Sequence, residues 1–143
     1  PIRVEADIPG YVANRIQAAI VREAVNLWSQ NVASASDIDT AVRLGFGLRY
    51  LHTGPLKQRD IGGLDLHVTI ADTMWKDLDN RGDANPKVRS KVDNGEIGLK
   101  SGRGFYDWTE KDPEEVLRSL DESLASTMSI LGIWPTGAAN NKE

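Results

Sequence analysis

Between Pro9 and about Gln30 the sequence describes one long helix that is apolar on two of its faces, and this limits the folds open to the chain more than any other feature. Val12, Ile16, Ala19, Ile20 and Leu27 form one stripe at helical spacing, and Val21, Val25 and Trp28 form a second. Arg15, Arg22, Asn26 and Ser29 are left to make a narrow polar face. A helix with so much apolar circumference is expected to be mostly surrounded by protein. Asp7 is the expected cap, with Pro9 accommodated in the opening turn, where backbone N–H groups have no partner in any case.

The rest of the chain reads as further helices. Pro1 to Glu5 alternates like an extended linker or the tail of a strand, and after it no period-two run and no hairpin dipeptide occurs. Ser36 and Asp39 have capping-box spacing and Gly45 supplies a stop, which predicts a short helix over 37–44 followed by a glycine-rich loop. Gly54-Pro55 restarts a short helix. Gly62-Gly63 separates it from another at 64–79, where Leu64, Val68, Ala71 and Trp75 recur at helical spacing. Pro86 opens a helix over 86–94 that ends at Asn94-Gly95. Asp112-Pro113, with Glu114 and Glu115 against the positive helix end, opens the last, whose stripe is Leu117, Leu120, Leu124, Met128 and Leu131. The fold class is therefore all-α. The small, polar stretch 137–143 is expected to fray.

Composition removes several function classes. A chain of 143 residues suffices for a domain that needs no metal or disulfide staples. With no Cys, disulfides, thiol nucleophiles and Cys-zinc sites are excluded. Seventeen Lys and Arg against 21 Asp and Glu, mixed along the chain, argue against binding to nucleic acid, which needs clustered cations. No apolar run approaches the ~20 residues needed to cross a bilayer. A soluble, cytoplasmic protein is the expectation. Neither G-x-G-x-x-G nor G-x-x-x-x-G-K-[ST] occurs, so no Rossmann domain and no cofactor-binding loop is expected within the chain.

Among individual residues, Asn14 heads a helix face continued by Ala18, Val21 and Val25, and capping does not explain it if Asp7 caps the helix. The bland alternative is an amide that satisfies a neighbouring backbone group. Glu23 interrupts an apolar stripe and needs a partner, which Arg15 or Arg49 could supply. Arg49, in the glycine-rich loop, has the fork geometry to grip a carboxylate or phosphate, with Lys100 as a second cation. His52 and His67 read as surface or packing residues. Asp37, Asp39, Asp60 and Asp65 read as caps and ties, with no metal site among them. Gly102 and Gly104 permit a tight chain reversal on which Phe105, Tyr106 and Trp108 pack, a reading that stands beside direct substrate contact by this segment.

Several motifs in one order carry a resemblance. They are Pro9-Gly10-Tyr11-Val12-Ala13-Asn14-Arg15, Asp37-Ile38-Asp39, Gly45-Phe46-Gly47-Leu48-Arg49, Gly54-Pro55-Leu56, Gly63-Leu64-Asp65 and Gly98-Leu99-Lys100-Ser101-Gly102-Arg103-Gly104-Phe105-Tyr106. This series closely resembles the C-terminal domain of the 3-hydroxyacyl-CoA dehydrogenase family. The resemblance implies the multi-helix fold of the 6-phosphogluconate and 3-hydroxyacyl-CoA dehydrogenase type over 9–108. Residues 1–8 would then be the remainder of an interdomain linker, and 109–136 an additional helix. It implies an NAD-dependent oxidation of 3-hydroxyacyl-CoA to 3-oxoacyl-CoA, a step of fatty acid metabolism. NAD and the catalytic histidine belong to a nucleotide-binding domain absent from these residues. Asn14 is the residue that the resemblance places at the active site, where the family's Asn orients the reacting group.

The resemblance also implies a homodimer through helical faces, here Ala18, Val21, Val25 and Trp28. Gly47-Leu48-Arg49-Tyr50 followed by Gly54-Pro55-Leu56, together with the helix after Tyr106, is similar to the branch containing L-gulonate 3-dehydrogenase (lambda-crystallin), which handles a small hydroxy acid. The Lys100 to Tyr106 segment instead follows the acyl-CoA enzymes. Two further alternatives are a stand-alone interaction module without catalysis and a small ligand-binding protein using Arg49 and Lys100.

Overall fold

The computed structural model describes residues 2–132. Within them the chain is helical, with no strand, and it divides after Ser90 into two compact units. The expected frayed stretch 137–143 and the end of the last helix toward 136 lie outside the described residues.

The first unit is organised on α1, Tyr11–Ser29. Its start differs from the expectation. Asp7 lies outside the helix and Pro9 precedes it; Gly10 is the cap, at φ 79°, and Tyr11 also has positive φ, at 48°. Two successive left-handed residues turn the chain sharply into the helix, and no side chain takes up the free N–H groups of the first turn. At the other end Asn31 adopts the left-handed conformation, and the Val32 amide bonds back to the Leu27 carbonyl at 3.1 Å, a Schellman-type closure.

Ser34, two residues earlier than expected, caps α2 (Ala35–Thr40): its hydroxyl accepts from the Asp37 amide at 3.1 Å and donates to the Asp37 carboxylate at 2.6 Å. The expected stop at Gly45 and the glycine-rich loop after it do not form. The backbone instead continues through a π-helical turn, Ala41–Gly47, into α3, Leu48–Tyr50. Gly47 permits this, because a Cβ there would stand 2.8 Å from the Val42 carbonyl oxygen.

Pro55 opens α4 (Pro55–Gly62), and Gly63 joins it to α5 (Leu64–Met74), which tightens into a 3-10 turn over Trp75–Asp77. The loop that follows returns to α1. There the helix's polar face makes its contacts. Glu23 accepts the Asp79 amide at 2.8 Å, Arg22 donates to the Arg81 carbonyl at 3.5 Å, and the Asn85 amide donates to the Ser29 hydroxyl at 3.0 Å. Asn26 and Asn85 are buried, and the one buried apolar side chain among the described residues is Ile38, on α2.

The apolar stripes of α1 are thus not surrounded by the described residues: Val21 keeps 51% of its surface exposed and Ile16 48%. Leu56, Ile61, Leu64 and Val68 on α4 and α5 are exposed as well. Exposed large apolar side chains thus recur along α1, α4 and α5.

Pro86–Asp93, α6, begins and ends as its proline and glycine predict, with Gly95 at φ 77° and the Glu96 amide bonded to the Lys91 carbonyl at 2.8 Å. In the second unit a 3-10 turn over Leu99–Ser101 leads into a reversal pinned by bridges between Gly98 and Arg103 and between Arg103 and Asp107. The Ser101 hydroxyl accepts from the Ile97 amide at 2.8 Å and lies 3.0 Å from the carbonyls of both Gly98 and Arg103. Gly104 presses on Gly98 so closely that a Cβ would lie 2.7 Å from the Gly98 Cα. The reversal is therefore built by glycine. Asp112 caps α7, Pro113–Ile130, by accepting the Glu114 amide at 3.0 Å. Of its expected stripe, Leu117, Leu120 and Leu124 are exposed, while Met128 and Leu131 are half-buried.

Candidate functional site

The sharp entry into α1 makes a groove. Pro9 and Gly10 form one end, Asn14 and Arg15 follow in the next turn, Ala18 and Ala19 form the floor, and Arg22 stands at the far end; the groove encloses about 460 Å³. Asn14 is exposed and its amide makes no hydrogen bond among the described residues. It is not spent on capping, since the cap is the backbone turn at Gly10. A neutral amide free to donate and accept, beside a small-residue floor, can hold an oxygen of a bound molecule. Arg15 folds back over the entry turn and donates to the Pro9 carbonyl at 3.3 Å.

The remaining expected site residues lie elsewhere. Arg49 is on the short helix α3 rather than in a loop; it is exposed, has no ion-pair partner among the described residues and does not line the Asn14 groove. Its carbonyl ends the helix by accepting the amides of His52 and Thr53. Lys100 is exposed on the 3-10 turn of the second unit. His52 is exposed in the turn after α3. His67 is half-buried, its ring edge-on to Trp75 at 5.7 Å and its Nδ1 buried without a partner among the described residues. In the glycine-rich reversal, hydrogen bonds from the Thr109 hydroxyl (2.6 Å) and amide (2.9 Å) hold the Asp107 carboxyl below its usual range.

Glu23 finds neither Arg15 nor Arg49. Its partners are the Asp79 amide and the Asn26 side chain, because the loop after α5 passes this face of α1. Asn26, assigned by its spacing to a polar surface, is instead the hub of a buried network. Its amide nitrogen donates to Glu23 at 3.4 Å, and its oxygen accepts from Gln30 at 2.8 Å and Arg81 at 3.5 Å. The available signal was the pairing of two polar sets: Arg22, Asn26 and Ser29 on one helix face, and the polar segment Asp79-Asn80-Arg81-Gly82-Asp83-Ala84-Asn85.

Fold and site together define an all-α domain that offers an amide-bearing groove at the head of its longest internal helix and has, among its described residues, no strand on which a nucleotide-binding turn could be built. Residues 10–108 match the family model for the 3-hydroxyacyl-CoA dehydrogenase C-terminal domain, and the chain belongs to that family.

Over 131 residues it is 34% identical to 5-formyl-3-hydroxy-2-methylpyridine 4-carboxylate 5-dehydrogenase of Mesorhizobium japonicum, covering 92% of this chain and 42% of the relative. It is 48% identical over 126 residues to a 3-hydroxyacyl-CoA dehydrogenase of Gibberella moniliformis, covering 88% and 35%. A crystal structure of the pyridine-carboxylate 5-dehydrogenase, described as an NAD+-dependent dismutase, superposes with a TM-score of 0.86 at 33% identity, covering 92% of this chain and 43% of that one. The chain thus spans about two fifths of the length of these relatives. Both named relatives align over more residues than the family region holds, so the helical extension does not separate their substrate types.

Proposed function

We propose that this chain is the substrate-side and dimerisation domain of an NAD-dependent dehydrogenase that oxidises a 3-hydroxyacyl-CoA to the 3-oxoacyl-CoA. The observation that carries the reading is the unspent amide of Asn14 in the groove at the head of α1, within the motif series of the family. When bound, NAD would accept the hydride; its site and the base that takes the hydroxyl proton are assigned in this reading to the nucleotide-binding domain. Asn14 orients the substrate by hydrogen-bonding the reacting oxygen, and Ala18 and Ala19 let the substrate approach the helix backbone. Arg49 is an anion contact for a charged part of the substrate in this reading, and Lys100, in the other unit, is a separate candidate for such a contact.

The exposed apolar stripes support the second half of the proposal. Val21 is exposed on the face that Val25 and Trp28 continue, and covering it removes apolar surface from water at about 25 cal/mol per Å²; Ala18, expected on the same face, lines the groove and is left to the substrate. Light scattering is expected to give a dimer; a monomer at high protein concentration would count against that face as an interface.

Catalysis is tested by dividing the enzyme. The 143-residue chain alone is expected to reduce no NAD with 3-hydroxybutyryl-CoA, and covalent connection to a family nucleotide-binding domain is expected to give turnover. Turnover by the chain alone would sink the assignment of base and cofactor site to the other domain.

A second reading keeps the domain and changes the substrate to a small hydroxy acid, of the kind handled by the gulonate-type branch. It is favoured by the Mesorhizobium relative, whose name gives a pyridine carboxylate as its substrate.

A further inference from the structure

The chain enters α1 through a turn closed by one backbone bond. The Tyr11 amide donates to the Ile8 carbonyl at 3.0 Å, which leaves Pro9 and Gly10 as the two central residues of a turn over 8–11. Proline sets φ at the first of these positions, and Gly10, at φ 79° and ψ 1°, supplies the left-handed second position of a type II turn. Tyr11 follows no such rule. It stands at φ 48°, where a bulky residue is an outlier, and its ring is exposed, so packing of the ring does not hold the backbone there. A strained residue of this kind persists only where its surroundings determine it, and such residues cluster at functional sites.

The determining contacts come from Asn14 and Arg15. The Arg15 guanidinium reaches back over the turn to donate to the Pro9 carbonyl at 3.3 Å, and among the described residues this is the one side-chain hydrogen bond that reaches 8–14. The Gly10 backbone lies against the stems of both residues: a Cβ built there would stand 3.4 Å from the Arg15 Cγ and 3.6 Å from the Asn14 Cβ. Helical side chains lean toward the helix N-terminus, so the Asn14 amide leans over this same turn. Asn14 is the fourth residue of α1, in a first turn that has no side-chain cap and would otherwise fray. The aim of its amide is therefore tied to the closure of the entry turn.

We propose that Arg15 is a positioning residue: latched on the Pro9 carbonyl, it holds the strained entry turn closed, and so keeps the Asn14 amide in one orientation at the head of the groove. This rests on reading Asn14 as the amide that orients the reacting oxygen of the substrate. Arg15 also lines the groove, so the rival role is direct contact with an anionic part of the substrate. The two roles change different quantities. A latch acts on turnover through Asn14, whereas a direct contact acts on binding whether or not Asn14 is present.

The test is a double-mutant cycle in the whole enzyme with 3-hydroxybutyryl-CoA. Arg15→Met, which keeps an apolar stem and removes the donors, is expected to lower kcat roughly 10-fold and to leave KM within about two-fold. Arg15→Lys, which keeps a donor, is expected to recover most of that loss. In an Asn14→Ala background Arg15→Met is expected to lower kcat no further, because the latch has nothing left to aim. An undiminished loss in that background, a raised KM with kcat unchanged, or an Arg15→Lys as slow as Arg15→Met would overturn the latch. Thermal unfolding of Arg15→Met is expected to match the parent, since the residue is exposed; a large drop would assign Arg15 to the stability of the fold and overturn the proposal as well. The two readings fail separately. If Asn14→Ala slows the enzyme while Arg15→Met is neutral, Asn14 keeps its role and the latch fails. If Asn14→Ala is neutral, the role of Asn14 fails and the latch falls with it.

Discussion

In the whole enzyme, Asn14→Ala is expected to lower kcat roughly 100-fold, the scale found when one hydrogen-bond donor to a reacting oxygen is removed, with the domain's stability unchanged or slightly raised. The two expectations come from different parts of the structure. Asn14 is exposed and makes no internal hydrogen bond among the described residues, so truncating it opens no cavity and strands no partner. It lies inside α1, where Ala is a better helix former than Asn by about 0.5 kcal/mol. Steady-state kinetics and urea unfolding on the same preparation check both. A loss of stability that parallels the loss of rate would make Asn14 a structural residue of the entry turn.

The second large effect is expected at the other end of the same helix. Asn26→Leu should destabilise the protein by about 2 kcal/mol, within the usual range for stripping a buried polar group of its partners. Leu has a similar volume, so the loss reports the hydrogen bonds and not a cavity. Glu23 and Arg81 each lose one contact to Asn26 and keep their bonds to the Asp79 amide and the Asp79 carboxylate respectively. The loop over 79–85 should consequently loosen from α1, which hydrogen exchange at the Asp79 and Arg81 amides reads directly. Substitution of the exposed Asn80 by Ala, within about 0.5 kcal/mol of neutral, is the matched control. Unchanged stability and exchange in Asn26→Leu would show that the loop is held by its backbone path alone.

Local rules located those elements whose ends are set by local chemistry. Pro86 and Gly95 bracket α6, and Asp112-Pro113 opens α7 at the expected residue, because capping and fixed φ act within a single turn. The start of α1 failed for a related reason. Asp7 has a good capping side chain, but Gly10 and Tyr11 reverse the backbone so tightly that the helix begins after them. Ser34 and Ser36 both stand three residues before an Asp, so spacing alone does not choose between them, and Ser34 is the cap. Most informative is the polar face of α1. Its spacing marked Arg22, Asn26 and Ser29 as a solvent face, yet their partners lie 55 to 59 residues away on a loop, beyond the reach of any helical period. The apolar stripes of α1 were expected to be mostly surrounded by protein, and the described residues do not provide most of that cover.

Asn14 was legible as a position that capping does not explain, and its proposed role comes from the resemblance. Arg22 was legible only as a cation on a polar face; its hydrogen-bond partner, the Arg81 carbonyl, comes from a loop that helical spacing does not reach.

The π-helical turn at Ala41–Gly47 has a consequence for any attempt to transfer Arg49 between relatives by alignment alone. Each wide loop of such a turn carries one residue more than an α-helical one, and one residue is worth about 100° of rotation about a helix axis. The angular setting of α3 is therefore fixed upstream of it. A sequence that matched Leu48-Arg49-Tyr50 letter for letter but ran through 41–47 as ordinary α-helix would aim its arginine at another quadrant, and a single-residue deletion there would be a steering mutation that touches no binding residue.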